Sequence, residues 1–192
     1  MKKKPEMRID KRKLRLRALG ISNWCFDEKT KEKSSVQFYD YDFPDKSRKI
    51  PRDDLLKIKE IFPYDAIMYE TKHGVHFISF SLLKGTYRSK ARVLETSKSL
   101  GLQDYWTEAN DLTLRVSAKW QIKRFKRDRI VVSEKPMFKG VLKEPNFEYR
   151  ISSKHLEFYK KYMDLPNWIY KLYDNCDKKD LRIKVYHYKT RD

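Results

Sequence analysis

The chain has 192 residues, 45 Lys+Arg against 27 Asp+Glu and a formal net charge of +18, a length that suits one domain with a real core. That excess favours a polyanionic partner, most simply nucleic acid, and 13 Tyr, 10 Phe and 4 Trp supply rings that can stack on bases. Two cysteines without a CxxC pair, Cys25 and Cys176, argue against a zinc finger and a disulfide-dense fold, and no apolar run is long enough to span a membrane.

The basic opening MKKKPEMRIDKRKLRLRALG lacks the apolar segment of a signal peptide and holds too many acids for a transit peptide, which predicts a cytoplasmic protein. Abundant Lys and Glu beside three Gln lean towards a thermophilic source. KLRLRALGI (13–21) alternates as a basic, half-exposed strand, and NWCFDEKTKEKSS is polar and loop-like. VQFYDYDF (36–43) predicts a buried strand stopped by Pro44. PRDDLLKIKEIF (51–62) opens on Pro and two acids, as helix first turns do, and sets Leu55, Ile58, Ile61 and Phe62 on one face before Pro63 ends it.

AIMYETK (66–72) and VHFISFSLL (75–83) predict two strands joined through His73-Gly74, a tight turn with positive φ at Gly. Residues 86–102 predict a helix with Gly101 as its stop. LTLRVSAKW (112–120) predicts a strand with Arg115, Ser117 and Lys119 on one face and Leu114, Val116 and Ala118 on the other. Beyond it, RIVVSE (129–134) suits a strand, 154–165 and 167–175 suit helices, and LRIKVYHY (181–188) suits a closing strand. The order β-α-β-β-α-β predicts an α+β fold of the RRM or ferredoxin-like kind with added strands. Its first and third strands are central, and the fourth flanks the first.

Asp is depleted in strands, yet Asp40 and Asp42 sit two apart in one, so both point to the same face. Carboxylates a strand repeat apart can bridge divalent cations, or can be an accident near a strand end. In ETKHGVHF (70–77), His76 and the backbone of His73-Gly74, with Lys72 beside it, would border a phosphate-sized pocket; a solvent-facing His is the plainer alternative. Arg115, Ser117 and Lys119 would form a row of phosphate donors, or an ordinary basic face. KWQIKRFKRDR (119–129) mixes Trp120 with Lys123, Arg124, Lys126 and Arg127, which suits a nucleic-acid groove.

Together FYDYDF, TKHGVHF and DLTLRVSAKW resemble the marks of the archaeo-eukaryotic primase superfamily, over residues 36–120. The resemblance implies an RRM-like palm over 1–150, with a helical extension over 151–192 packed on the same domain. It implies Mg²⁺ or Mn²⁺ on Asp40 and Asp42, and His76 on the phosphates of an incoming nucleoside triphosphate with Arg115 and Lys119 assisting. It implies a third acid, for which Asp111 is favoured over Glu108 and Asp104, because LTLRVSAKW contains none. The expected function is primase- or polymerase-type nucleotidyl transfer in replication of a genome, plasmid or virus. The partners would be single-stranded or primer-template nucleic acid, with a helicase or large primase subunit as further candidates and no membrane.

Two other classes compete. A non-catalytic RRM-like replication accessory protein explains the charge and topology while treating the D-x-D as structural. A rolling-circle initiator would use Tyr159 or Tyr162 as nucleophile, but His73 and His76 are three apart and cannot share one strand face as its metal pair.

Overall fold

In a computed structural model that describes residues 16–84, 95–102, 112–122 and 129–190, the chain is α+β, with a mostly antiparallel open sheet of many strands and few helices. The strands are β1 (Leu16–Phe26), β2 (Lys33–Asp42), β3 (Ala66–Glu70), β4 (Gly74–Lys84), β5 (Thr113–Arg115), β6 (Lys119–Ile122), β7 (Arg129–Ser133), β8 (Met137–Lys143), β9 (Arg150–Ser152), β10 (Asp177–Lys179) and β11 (Arg182–Thr190). The helices are α1 (Arg52–Ile61), a segment at 95–99 (α2), α3 (Ser153–Tyr162) and α4 (Asn167–Leu172). No described helix is long and apolar enough to cross a membrane.

β1 is the seam of the sheet. It pairs with β11 from Leu16 to Phe26, and along its other edge it pairs in turn with β6 at Leu16–Arg17, β5 at 20–22 and β2 at 24–26. β2 parts from β1 after Ser35, beside a bulge in its pairing with β4, and β5 takes the vacated stretch. The strand expected at 112–120 is therefore two. Between β5 and β6 the Val116 N–H donates to the Leu19 carbonyl (2.9 Å) and the Ser117 hydroxyl accepts the Leu19 N–H (2.8 Å). In the split βαβ order the last strand flanks the first; here β5 pairs with β1 instead.

β1 also runs further than the sequence suggests, through Asn23–Phe26, and returns through a short turn as β2. Asp27 makes that turn, its Oδ1 accepting the Lys29 and Thr30 N–H groups. α1 and β3–β4 follow expectation. Pro51 precedes α1, Asp53 and Asp54 lie in its first turn, and Ile58, Ile61 and Phe62 are fully buried. The 95–99 helix ends as Gly101 predicts: Gly101 has φ +68, its N–H reaches the Lys98 carbonyl, and the Leu102 N–H reaches that of Ser97. Residues 86–94 of the expected 86–102 helix lie outside the described residues.

Alternation along β2 splits the core in two. Tyr39 and Tyr41 pack with Val75, Phe77 and the buried stripe of α1, and Tyr41 donates its hydroxyl to Asp54 Oδ2 at 2.6 Å. Val36 and Phe38 face the other way with Ile78, Phe80, Ile67 and Tyr69, under Leu156, Tyr159, Met163, Ile169 and Tyr173 from the α3–α4 region. The segment expected to be a helical extension thus shares the core of β1–β5, and it also contributes β9, β10 and β11.

Asp65 is fully buried just before β3. β3 pairs with β4 only as far as Ile67–Ile78, and β9 meets β4 at Ser81. Between them, the Asp65 carboxylate accepts the Phe80 and Ser81 N–H groups (2.9 and 3.3 Å), the Ser79 and Ser81 hydroxyls, and the Tyr173 hydroxyl (3.1 Å). Enough donors converge to compensate for burying a carboxylate. Replacing Asp65 with Ala leaves those donors without an acceptor, so it should cost about 3 kcal/mol or more in urea unfolding. Tyr173→Phe should cost about 1 kcal/mol. An Asp65→Ala chain as stable as wild type would contradict this role.

Candidate active site

The β2–β4 register brings the two expected elements together. Asp40 is paired directly with His76 and Asp42 with Gly74, and both aspartates share a face with His76. α1 lies on the opposite face, with Tyr39 and Tyr41. Phe38, next to Asp40 on that face, is met edge-on by His155 of α3 (6.0 Å). Asp40, Asp42 and His76 therefore occupy the part of the face beyond the α3 contact.

The nearest ionisable partner of Asp40 is His76, whose Nε2 lies 3.5 Å from Asp40 Oδ1, long for a hydrogen bond. Asp40 keeps 36% of its side-chain surface open yet sits low among protein atoms. Burial pushes its carboxyl up to about 6, against the pull of Arg115 and Lys119. Asp42 is raised by burial and then by the Asp40 charge beside it, with His73, His76 and Lys119 opposing. His76 is pushed down to about 3, chiefly by burial and then by Arg115. It is a neutral imidazole at pH 7, able to donate one hydrogen bond or ligate a metal, and it is not a cationic clamp.

Several expected phosphate ligands are committed elsewhere. Gly74 does not take positive φ; it is glycine because a Cβ there would lie 1.9 Å from the Tyr41 carbonyl oxygen. The His73 and Gly74 N–H groups donate to Thr71 Oγ1 (3.4 and 3.0 Å), so this turn forms no anion cradle, although the Lys72 and His73 side chains are exposed. Arg115 is buried, its guanidinium donating to the Ser117 and Glu134 carbonyls (2.5 and 2.7 Å). Ser117 is spent on Leu19 and the Ala118 carbonyl. Lys119 and Trp120 are half-buried on β6. Asp111, Glu108, Asp104, Lys123, Arg124, Lys126 and Arg127 lie outside the described residues. Among the described residues no group of three His, Cys, Asp or Glu side chains is placed to hold a metal ion.

Tyr159 cannot serve as a nucleophile: it is buried, and burial raises its hydroxyl far above the ordinary phenol range. Tyr162 is exposed. Sequence reasoning missed one polar cluster, at Cys25, Ser152 and His155. The Ser22 carbonyl 2.8 Å from His155 Nε2 can only accept, so Nε2 carries the proton and Nδ1 accepts from Ser152 Oγ at 2.8 Å. Cys25 Sγ lies 3.6 Å from Nδ1, but burial pushes its thiol up to about 12, so the cluster is structural and not a Cys–His dyad. Cys25 lies 127 residues from Ser152 and 130 from His155, with no local motif to reveal the cluster.

Comparison of the chain with protein-family models, curated proteins and solved structures gave no match.

In metal-free protein, Asp40 and His76 give opposite pH signatures. The raised Asp40 carboxyl penalises the fold above about pH 6 and ceases to as pH falls towards 3.8. Asp40→Asn should therefore stabilise at pH 7–8 by about 1 kcal/mol, allowing for solvent screening, and the gain should vanish near pH 4. The depressed His76 costs stability as pH falls from 6.5 towards 3, so His76→Gln should flatten that acid limb. Urea unfolding in EDTA across pH 4–8 checks both; a pH-independent Asp40→Asn effect would refute the buried-charge account. Gly74→Ala should lower stability by about 1–3 kcal/mol through the Tyr41 carbonyl clash.

Proposed function

We propose that this chain is a primase- or polymerase-type nucleotidyltransferase acting on nucleic acid, with its site on the sheet face of Asp40, Asp42 and His76. The observation that carries the reading is the Asp40–His76 pairing, with Asp42 on the same face and α1 on the other. The order β2-α1-β3-β4-α2-β5 supports an RRM-like palm, modified by the insertion of β1 beside β5. The net charge of +18 suits a polyanionic substrate.

The two carboxylates are donors of the kind a hard divalent cation takes, although the described residues place no group of three His, Cys, Asp or Glu to hold one. Two same-face carboxylates are raised by burial, Asp42 also by the Asp40 charge, a neutral imidazole stands beside them, and Asp40 has no cationic ion-pair partner among the described residues. Asp40 and Asp42 would hold Mg²⁺ or Mn²⁺, which when bound supplies positive charge to the attacking and leaving oxygens of phosphoryl transfer. His76 would orient a phosphate oxygen through its one N–H. Arg115, held by two carbonyls, would add fixed positive potential without direct contact. Lys119 is the nearer candidate for a phosphate contact.

The engagement of Arg115 and Ser117 with backbone favours a second reading, a non-catalytic nucleic-acid-binding replication protein with the same topology. One experiment separates them. Wild type should bind Mn²⁺ in calorimetry and extend a primed template with Mg²⁺ or Mn²⁺. Asp42→Asn should lose the binding and at least about 10²–10³ of the rate, as for loss of one transition-state contact. If wild type is inactive with both metals and Asp42→Asn leaves Mn²⁺ binding unchanged, the second reading stands.

A further inference from the structure

The α3–α4 surface carries exposed rings that the core does not use. Trp168, in the first turn of α4, is 59% exposed, and Tyr162, at the end of α3, is 53% exposed. Neither dangles. Trp168 stands edge-on to Phe138 of β8, with centroids 6.3 Å apart and planes at 82°, and Tyr162 lies 4.9 Å from Phe158. A tryptophan held against one ring while more than half of its surface stays exposed is preorganised to stack without losing much side-chain entropy.

The surroundings are cationic. Lys161 lies 5.1 Å from the Tyr162 ring centroid and Lys160 lies 3.7 Å from that of Tyr170, while Lys171 is exposed one turn after Trp168. The acids of this surface are engaged: Glu157 with Lys154, and Asp164 with Lys135. Phe138 also ends a cross-strand row, Asp40–His76–Tyr69–Phe138, each directly paired with the next. Three strand spacings, about 14 Å, thus separate the Asp40 and Phe138 backbones.

We propose that Trp168 and Tyr162 form a base-stacking platform for single-stranded nucleic acid, with Lys161 and Lys171 on its phosphates. The partner follows from charge and ring faces together. Lysines beside exposed aromatic rings match a polyanion whose bases are free to stack, and a duplex keeps its bases stacked internally. The inference rests on the nucleic-acid partner of the proposed function but not on its chemistry.

The test uses the full chain and fluorescent dT20, with anisotropy read over a salt series. Trp168→Ala should weaken binding by about 5-fold to about 100-fold, the range for loss of one stacked base, with the salt slope unchanged. Trp168→Phe should restore most of it. An abasic 20-mer should bind wild type and Trp168→Ala alike, an equality that a merely structural role would not produce. Lys161→Gln with Lys171→Gln should instead lower the salt slope by about 1.4. Unchanged dT20 affinity in Trp168→Ala would overturn the platform, as would equal losses on dT20 and the abasic strand. Loss of binding to anionic phospholipid vesicles with dT20 unaffected would assign the surface to a membrane and overturn it too. A wild type that binds no dT20 would sink both this surface and the proposed function, whereas dT20 binding without extension would sink the chemistry alone.

Discussion

A buried carboxylate holds the long strand β4 in its place. One edge of β4 is served by β2 along most of its length; the other is served by β3, then by the Asp65 side chain, then by β9. Backbone N–H groups in a core must find acceptors, and where no strand supplies one at Phe80 and Ser81, Asp65 does. The same carboxylate receives Tyr173, so the segment after α4 is tied to the α1–β3 junction. Pro63 ends α1 two residues earlier, which helps place Asp65 at that gap. The position of His76, four residues up β4, depends on this anchoring.

What the sequence revealed follows from what is local. The 3.6-residue stripe of α1, the Gly101 stop and the helices at 153–162 and 167–172 each announce themselves within a dozen residues, and β7 and β11 do so by alternation. The Asp40–His76 adjacency was legible because a two-residue phase puts Asp40 and Asp42 on one face and a short hairpin aligns the next strands. β8 was not: MFKGVLK has Gly140 in its middle and bulged pairing to β3, which erases alternation. Asn23–Phe26 looked like loop because its hydrophobic partners come from β2 and β11. The state of Arg115 was hidden for the same reason, since one of its acceptors is the Glu134 carbonyl, 19 residues on. Gly74 was recognised as necessary for the wrong reason: backbone approach by Tyr41, and not turn dihedrals, excludes a side chain.

Around Asp40 the electrostatics are unbalanced among the described residues. Burial disfavours the Asp40 carboxylate and the His76 imidazolium alike, and the nearest guanidinium is turned to carbonyl oxygens. Asp65 is the contrast, a carboxylate with every donor it needs from its own fold. Two acids of one chain thus meet opposite environments, one closed by its neighbours and the other open on a face whose remainder is covered by α3.

The sharing of β1 has a consequence for how the molecule is made. Along most of its length β1 is paired with β11, whose residues lie more than 150 positions later. Contacts so distant in the chain are slow to form, because loop closure must precede any gain from pairing. During synthesis, an edge of alternating hydrophobic residues waits unpaired while β2 through α4 emerge. The lysines and arginines of the segment before β1 give that waiting edge like-charge repulsion against other copies of itself. Basic charge near this strand thus opposes association of nascent chains with one another.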